Sequence, residues 1–233
     1  MSLFDGKTLK GCHKNPNKIG HGTGGIWLAE DGTITGAQDP PGSGNGGILL
    51  TDEKFGDFEL RLEIKPDWGV CSGLFLRSND GGQCLQMMVD YHDGGNVGHI
   101  YGEGTGGFNT RPFDINGEMK DGKLTGLKHV DKGEKPPITY SISGEKYCEL
   151  YKVNEWNEIR VLCVGEHPHI TTWINGEKVC DFDGATYVGP GYNKENVVKT
   201  LGPAGSIAVQ VHGGGGWPKD AKCRWRNLWI KRL

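Results

Sequence analysis

A side-chain alternation of period two, repeatedly interrupted by glycine, most constrains what this chain can fold into. Phe58-Glu59-Leu60-Arg61-Leu62-Glu63-Ile64 sets apolar residues at every second position with charged ones between them. Ser72 to Arg77, Cys84 to Tyr91, Asn157 to Val164 and Ser206 to His212 behave similarly, while a 3.6-residue period hardly occurs. Successive strand side chains point to opposite faces, so each segment reads as a half-buried strand. His169 to Ile174 and Glu177 to Phe182 flank Asn175-Gly176, a pair suited to the positive φ angles of a type I′ hairpin turn. Only short stretches such as Tyr192 to Thr200 read as helix. Many short strands joined by glycine turns predict an all-β, two-sheet antiparallel sandwich or jelly roll.

Composition narrows the class further. Glycine supplies 40 of 233 residues, about 17% against a usual value near 7%. Each glycine costs a helix interior about 1 kcal/mol, which excludes a helical bundle. Seven Trp, seven Tyr and seven Phe supply core bulk and exclude disorder. Lys plus Arg is 26 and Asp plus Glu is 29, a net charge of −3. That balance does not suit a nucleic-acid partner. The segment Trp217 to Leu233 holds six basic residues and one acid, yet it reads as a last strand with inward tryptophans and outward cations. No apolar run of membrane-spanning length occurs, and the chain opens without a basic, then apolar, leader. Seven cysteines leave at least one thiol unpaired and form no CxxC, so they read as small buried hydrophobes. Cys163 with Cys180 is the one disulfide pairing considered.

A single domain, 1–233, is expected, with a long loop insertion at about 102–137 bordering the functional face. Its Gly-, Lys-, Asp- and Pro-rich composition shows little strand pattern, and loops of that length usually carry function. Two GxGxxG matches, from Gly42 and from Gly102, open no helix and lack a βαβ context, so no dinucleotide cofactor is expected. Gly69-Val-Cys71-Ser-Gly73 resembles a nucleophile elbow but leads into a strand, making Cys71 a packing residue. His167-Pro-His169 reads as a surface turn.

Alternation also shows which polar side chains share a face. Gln86 and Asp90 lie together on one strand, Gln210 and His212 on another, and Arg77 ends a third. Were these strands neighbours, the five would line one polar, partly concave surface. A cation, an acid, an imidazole and two amides suit a polyhydroxylated ligand, so the expected partner is a small saccharide or glycoside. Glu63 is a reserve carboxylate.

The ordered segments Leu3 to Leu9, Gly56 to Glu63, Ser72 to Arg77, Gln86 to Asp90, Glu155 to Arg160, Ile174 to Gly176, Gly205 to His212 and Arg226 to Leu228 resemble the 3-keto-disaccharide (3-keto-glucoside) hydrolase domain family. The chain departs from that pattern at Cys12, often Trp, at Cys84, often Glu, and in the four-residue spacing of Gln86 to Asp90. The resemblance implies a concanavalin A-like jelly roll, export or a periplasmic setting, and cleavage of glycosidic bonds in sugars oxidised at C3. In that chemistry a base removes the C2 proton, the enolate expels the C1 substituent, and water adds. Asp90 and His212 are assigned the proton transfers, Arg77 the enolate charge, and Gln86, Gln210 and Glu63 the sugar hydroxyls. No organic cofactor is implied, although Asp90, His92 and His99 could hold a divalent cation. The rival readings are a conventional retaining glycosidase, opposed by Met88 and Asp93 where the Glu-x-Asp-x-(x)-Glu strand motif of a glucanase carries its two glutamates, and a non-catalytic carbohydrate-binding module.

Overall fold

The computed structural model describes residues 1–233. In chain order its elements are β1 (Cys12–Lys14), β2 (Ile26–Glu30), β3 (Thr33–Ala37), β4 (Gly47–Phe55), β5 (Phe58–Pro66), β6 (Val70–Ser78), β7 (Leu85–Tyr91), β8 (Asn96–Tyr101), β9 (Phe113–Lys120), β10 (Lys123–Asp131), β11 (Tyr140–Ser141), α1 (Gly144–Leu150), β12 (Asn157–Val164), β13 (His169–Ile174), β14 (Glu177–Asp183), α2 (Lys194–Leu201), β15 (Gly205–Val211) and β16 (Cys223–Arg232). A six-stranded sheet, β1-β4-β15-β6-β7-β8, packs on an eight-stranded sheet, β11-β14-β13-β12-β5-β16-β3-β2. Every pairing is antiparallel. The expected jelly-roll sandwich is therefore present.

The alternation translates directly into the core. Phe58, Leu60, Leu62 and Ile64 of β5 are buried against Leu74, Leu76, Val209 and Val211 of the opposite sheet, within one apolar core running from Phe4 to Ile230. The hairpin forms as its residues require: Asn175 has φ 49° and Gly176 φ 86°, the left-handed pair of a type I′ turn. Helix α2 occupies most of the stretch read as helical, capped by the Asn193 side chain. Trp225 points inward on β16, whereas Trp229 is 55% exposed, so the last strand buries only part of its aromatic set.

Three expectations are corrected. Residues 102–137 are not one irregular loop, because β9 and β10 pair from Lys120–Lys123 to Phe113–Asp131 as a separate two-stranded sheet. Their apolar residues, Phe113, Ile115, Leu124 and Leu127, are spaced closely enough to seat the hairpin on the core, but lysines and glycines mask the period. All seven cysteines are free thiols, Cys163 and Cys180 included. Finally, the outer face of the six-stranded sheet is not polar throughout. Ile48, Leu50, Phe75, Cys84 and Ala208 form a second apolar cluster there, with Ile19 packed on it.

Candidate active site

The register of β6, β7 and β15 builds the site. Cys71 pairs with Asp90, Gly73 with Met88 and Phe75 with Gln86, while Ala208 of β15 pairs with Phe75. Outward side chains on neighbouring strands therefore stand side by side. Gly73 matters through close approach: a Cβ there would lie 2.5 Å from Gln86 Nε2, so Gln86 occupies the space a side chain would fill.

Gln86 donates to the Ser72 carbonyl (3.2 Å) and, at 3.5 Å, to Gln210 Oε1. Gln210 in turn donates to His21 Nε2 at 3.0 Å. His21 lies against His212, the ring centroids 4.8 Å apart and the planes tilted by 59°, and is 3.8 Å from Glu103. Both glutamines are buried, and this chain of amides ends on His21 and orients its ring. His21 enters from the Asn15–Gly24 loop, held by Asn15 Nδ2 donating to the Asn17 and Gly22 carbonyls. Its loop has no period, so alternation could not reveal it. Glu103 was missed for the same reason.

His212 follows β15, and its backbone N–H donates to the Cys71 carbonyl at 3.2 Å. Its Nδ1 lies 2.5 Å from the Gly213 carbonyl, which can only accept, so Nδ1 carries the proton. Nε2 has no hydrogen-bond partner within the protein. Asp90 accepts from Cys71 Sγ at 3.2 Å. Burial raises the Asp90 carboxyl above its ordinary range, outweighing the Cys71 hydrogen bond and the His92, Arg111 and His212 charges. Burial likewise raises Glu103, with Asp90 adding to the rise and His212 opposing it. Burial, reinforced by His212, lowers His21 to about 4. These opposed shifts set carboxyls of raised pKa beside an imidazole of lowered pKa, the environment of acid–base chemistry.

A cavity of about 490 Å³ opens here, walled by Trp68, Trp217, Cys71, His92 and His212. Trp68 stands edge-on to Tyr91 at 4.9 Å and offers a flat apolar wall. The β9–β10 hairpin braces it, because Gly117 lies against both Trp68 and Leu124. The hairpin's Gly117 N–H donates to Asp93 at 2.9 Å, and Glu103 and Arg111 act electrostatically on Asp90. Segment 102–137 thus lies close to Asp90 and Asp93. A larger hollow of about 710 Å³ beside His129 and Tyr140 lies apart from these groups.

Two expected site residues lie elsewhere. Arg77 is fully buried at the end of the sandwich, donating to the Gly56 and Gly165 carbonyls (2.9 and 3.0 Å) and to Asp57 (2.8 Å). Its φ of 52° reverses the alternation: Ser206 faces Ser78 while Ala208 faces Phe75, so β6 carries one extra residue. Glu63 projects from the other sheet, held by Arg226 at 2.9 and 3.0 Å, and those bonds lower its pKa. Periodicity shows which residues share a face of a strand, not which sheet the strand joins. Nor does His99 join a cation set with Asp90 and His92: it is buried between Asn96 Oδ1 (2.9 Å) and Ser141 Oγ (2.8 Å).

A candidate glycosyl hydrolase of Parabacteroides distasonis shares the fold with TM-score 0.56 and 21% identity, over 100% of this chain and 98% of that one. A second from the same organism gives 0.54 and 20%, over 99% and 92%. An endo-acting O-glycanase from human gut microbiota gives 0.51 and 11%, over the whole of both chains. Among curated proteins, none matches. The profile of one domain family matches residues 1–231, and the chain belongs to that carbohydrate-active family, the 3-keto-alpha-glucoside-1,2-lyase-like domains.

Proposed function

We propose that this protein cleaves the glycosidic bond of glycosides oxidised at C3, by elimination across C1–C2 followed by hydration. The observation that carries the reading is a free His212 Nε2 on an aromatic-walled cavity, with two carboxyls nearby, Asp90 and Glu103, whose pKa values burial raises. A C3 ketone acidifies the C2 hydrogen. His212 Nε2 takes that proton, and the C2–H electron pair moves into the C2–C3 bond to give an enolate. The enolate restores the ketone, forms the C1–C2 double bond and expels the C1 oxygen, which receives a proton from Asp90 or Glu103. Addition of water, with oxygen to C1 and hydrogen to C2, completes hydrolysis. Each transfer suits general acid–base catalysis at neutral pH. Trp68 supplies a stacking wall for the ring.

The family name supports the elimination step. The test is turnover of a 3-keto-glucoside beside the same glucoside unoxidised, following aglycone release. Release from the ketone alone, with transient enone absorbance, is expected. Equal release from the unoxidised sugar would assign a conventional glycosidase, and binding without release would assign a carbohydrate-binding module.

A further inference from the structure

Three different metal-ligating side chains meet beside the cavity, whose wall includes Cys71 and His92. Cys71 Sγ, an Asp90 carboxylate oxygen and a His92 ring nitrogen all lie within 4.8 Å of one another. In a tetrahedral zinc site, bond lengths of about 2.0–2.3 Å place donors roughly 3.3–3.8 Å apart. The Cys71–Asp90 pair, at 3.2 Å, is already near that spacing. Two backbone features hold the set. Cys71 and Asp90 are direct partners across β6 and β7, and His92 follows β7 by one residue. His92 Nδ1 lies 2.8 Å from the Asp93 carbonyl and must donate to it, leaving the lone pair on Nε2. A backbone carbonyl on the second ring nitrogen is the usual support of a ligating imidazole.

We infer that Cys71, Asp90 and His92 form a three-ligand site for a borderline-soft divalent cation of the zinc or cobalt kind, its fourth position open to the cavity. A thiolate, an imidazole and one carboxylate favour such ions over magnesium or calcium, which prefer oxygen donors. Three protein ligands with an open position mark a reactive rather than a purely structural centre. Binding forms the Cys71 thiolate and releases its proton to solvent. With the cation bound, Asp90 is a ligand, so Glu103 is the carboxyl left to donate a proton. The test of the site uses no sugar, so its outcome is separate from that of the substrate reading.

The experiment is titration of the full chain with Co²⁺ under reducing, metal-free conditions, read by absorption, with Zn²⁺ displacing it. One equivalent should produce a sulfur-to-cobalt charge-transfer band. Cys71→Ser should abolish the band, Cys148→Ser, altering a thiol on α1, should keep it, and His92→Ala should weaken affinity roughly tenfold or more. His92 sits in a turn beyond its strand, so its variant tests ligation even if Cys71→Ser fails to fold. A wild-type chain without the band, a band that survives Cys71→Ser, or unchanged affinity in His92→Ala would each overturn the site.

Discussion

At the residue scale, the proposed roles of His212 and Asp90 separate activity from stability. His212→Ala removes the free Nε2 and should lower turnover of a 3-keto-glucoside by roughly 10²-fold or more, the usual scale for lost acid–base catalysis. Asp90→Asn should do the same while leaving the fold as stable or more so at neutral pH. Burial makes the Asp90 charge unfavourable, and a neutral isostere keeps an acceptor for Cys71. Wild-type turnover in both folded variants would remove the assignment. Arg77 makes the opposite forecast. Its guanidinium joins the Gly56-Asp57 turn to Gly165, so Arg77→Ala leaves a cavity and two carbonyls without their donor. A loss of roughly 3 kcal/mol is expected, measured by urea unfolding. If the protein is kept below its melting point, turnover should change little.

At the element scale, β6, β7 and β15 act as one platform whose alignment depends on Gly73. Gly73→Ala drives a methyl group against Gln86, and the glutamine must leave Gln210 and the Ser72 carbonyl. The amide chain to His21 then loosens. Turnover should fall about tenfold for a stability loss of about 1 kcal/mol, the worth of one or two hydrogen bonds. Steady-state kinetics beside denaturant unfolding checks this, and a purely structural Gly73 would show the stability loss alone. The β9–β10 hairpin is the other functional element. Its eight-residue pairing was hidden because lysines and glycines fill the positions where period would show, whereas Asn175-Gly176 declared its hairpin through turn chemistry alone.

At the scale of the whole molecule, buried histidines tie stability to pH. His99 is held neutral, its pKa lowered to about 3 by burial and by Arg111. A group depressed in the folded state stabilises the protein above its ordinary pKa of about 6.5, and that contribution is lost as pH falls toward the folded value. Between pH 7 and pH 5 His99 should therefore account for a loss of about 2 kcal/mol. His99→Gln should flatten the slope by that amount in urea unfolding at the two pH values. Asp90 and Glu103, raised rather than lowered, act in the opposite direction. The comparison of wild type with variant isolates His99 because both share those carboxyls. An unchanged slope would place His99 in contact with water.

The amino-acid sequence by itself determined the sandwich, because period-two burial depends on neighbours along one strand. It also placed Gln86 beside Asp90, and Gln210 beside His212, since each pair shares one strand's face. Which strands adjoin was decided only by tertiary structure. That choice joined the two pairs through β6, sent Glu63 to the other sheet and turned Arg77 inward at a bulge. His21, Glu103 and Trp68 reach the site from connecting segments, where no period marks a side chain's direction. Cys71 looked like packing until β7 placed Asp90 opposite it and the following turn brought His92 alongside. Pairing is a long-range property: hydrogen bonds between strands far apart in the chain fix it, and local alternation is the same whichever partner they choose.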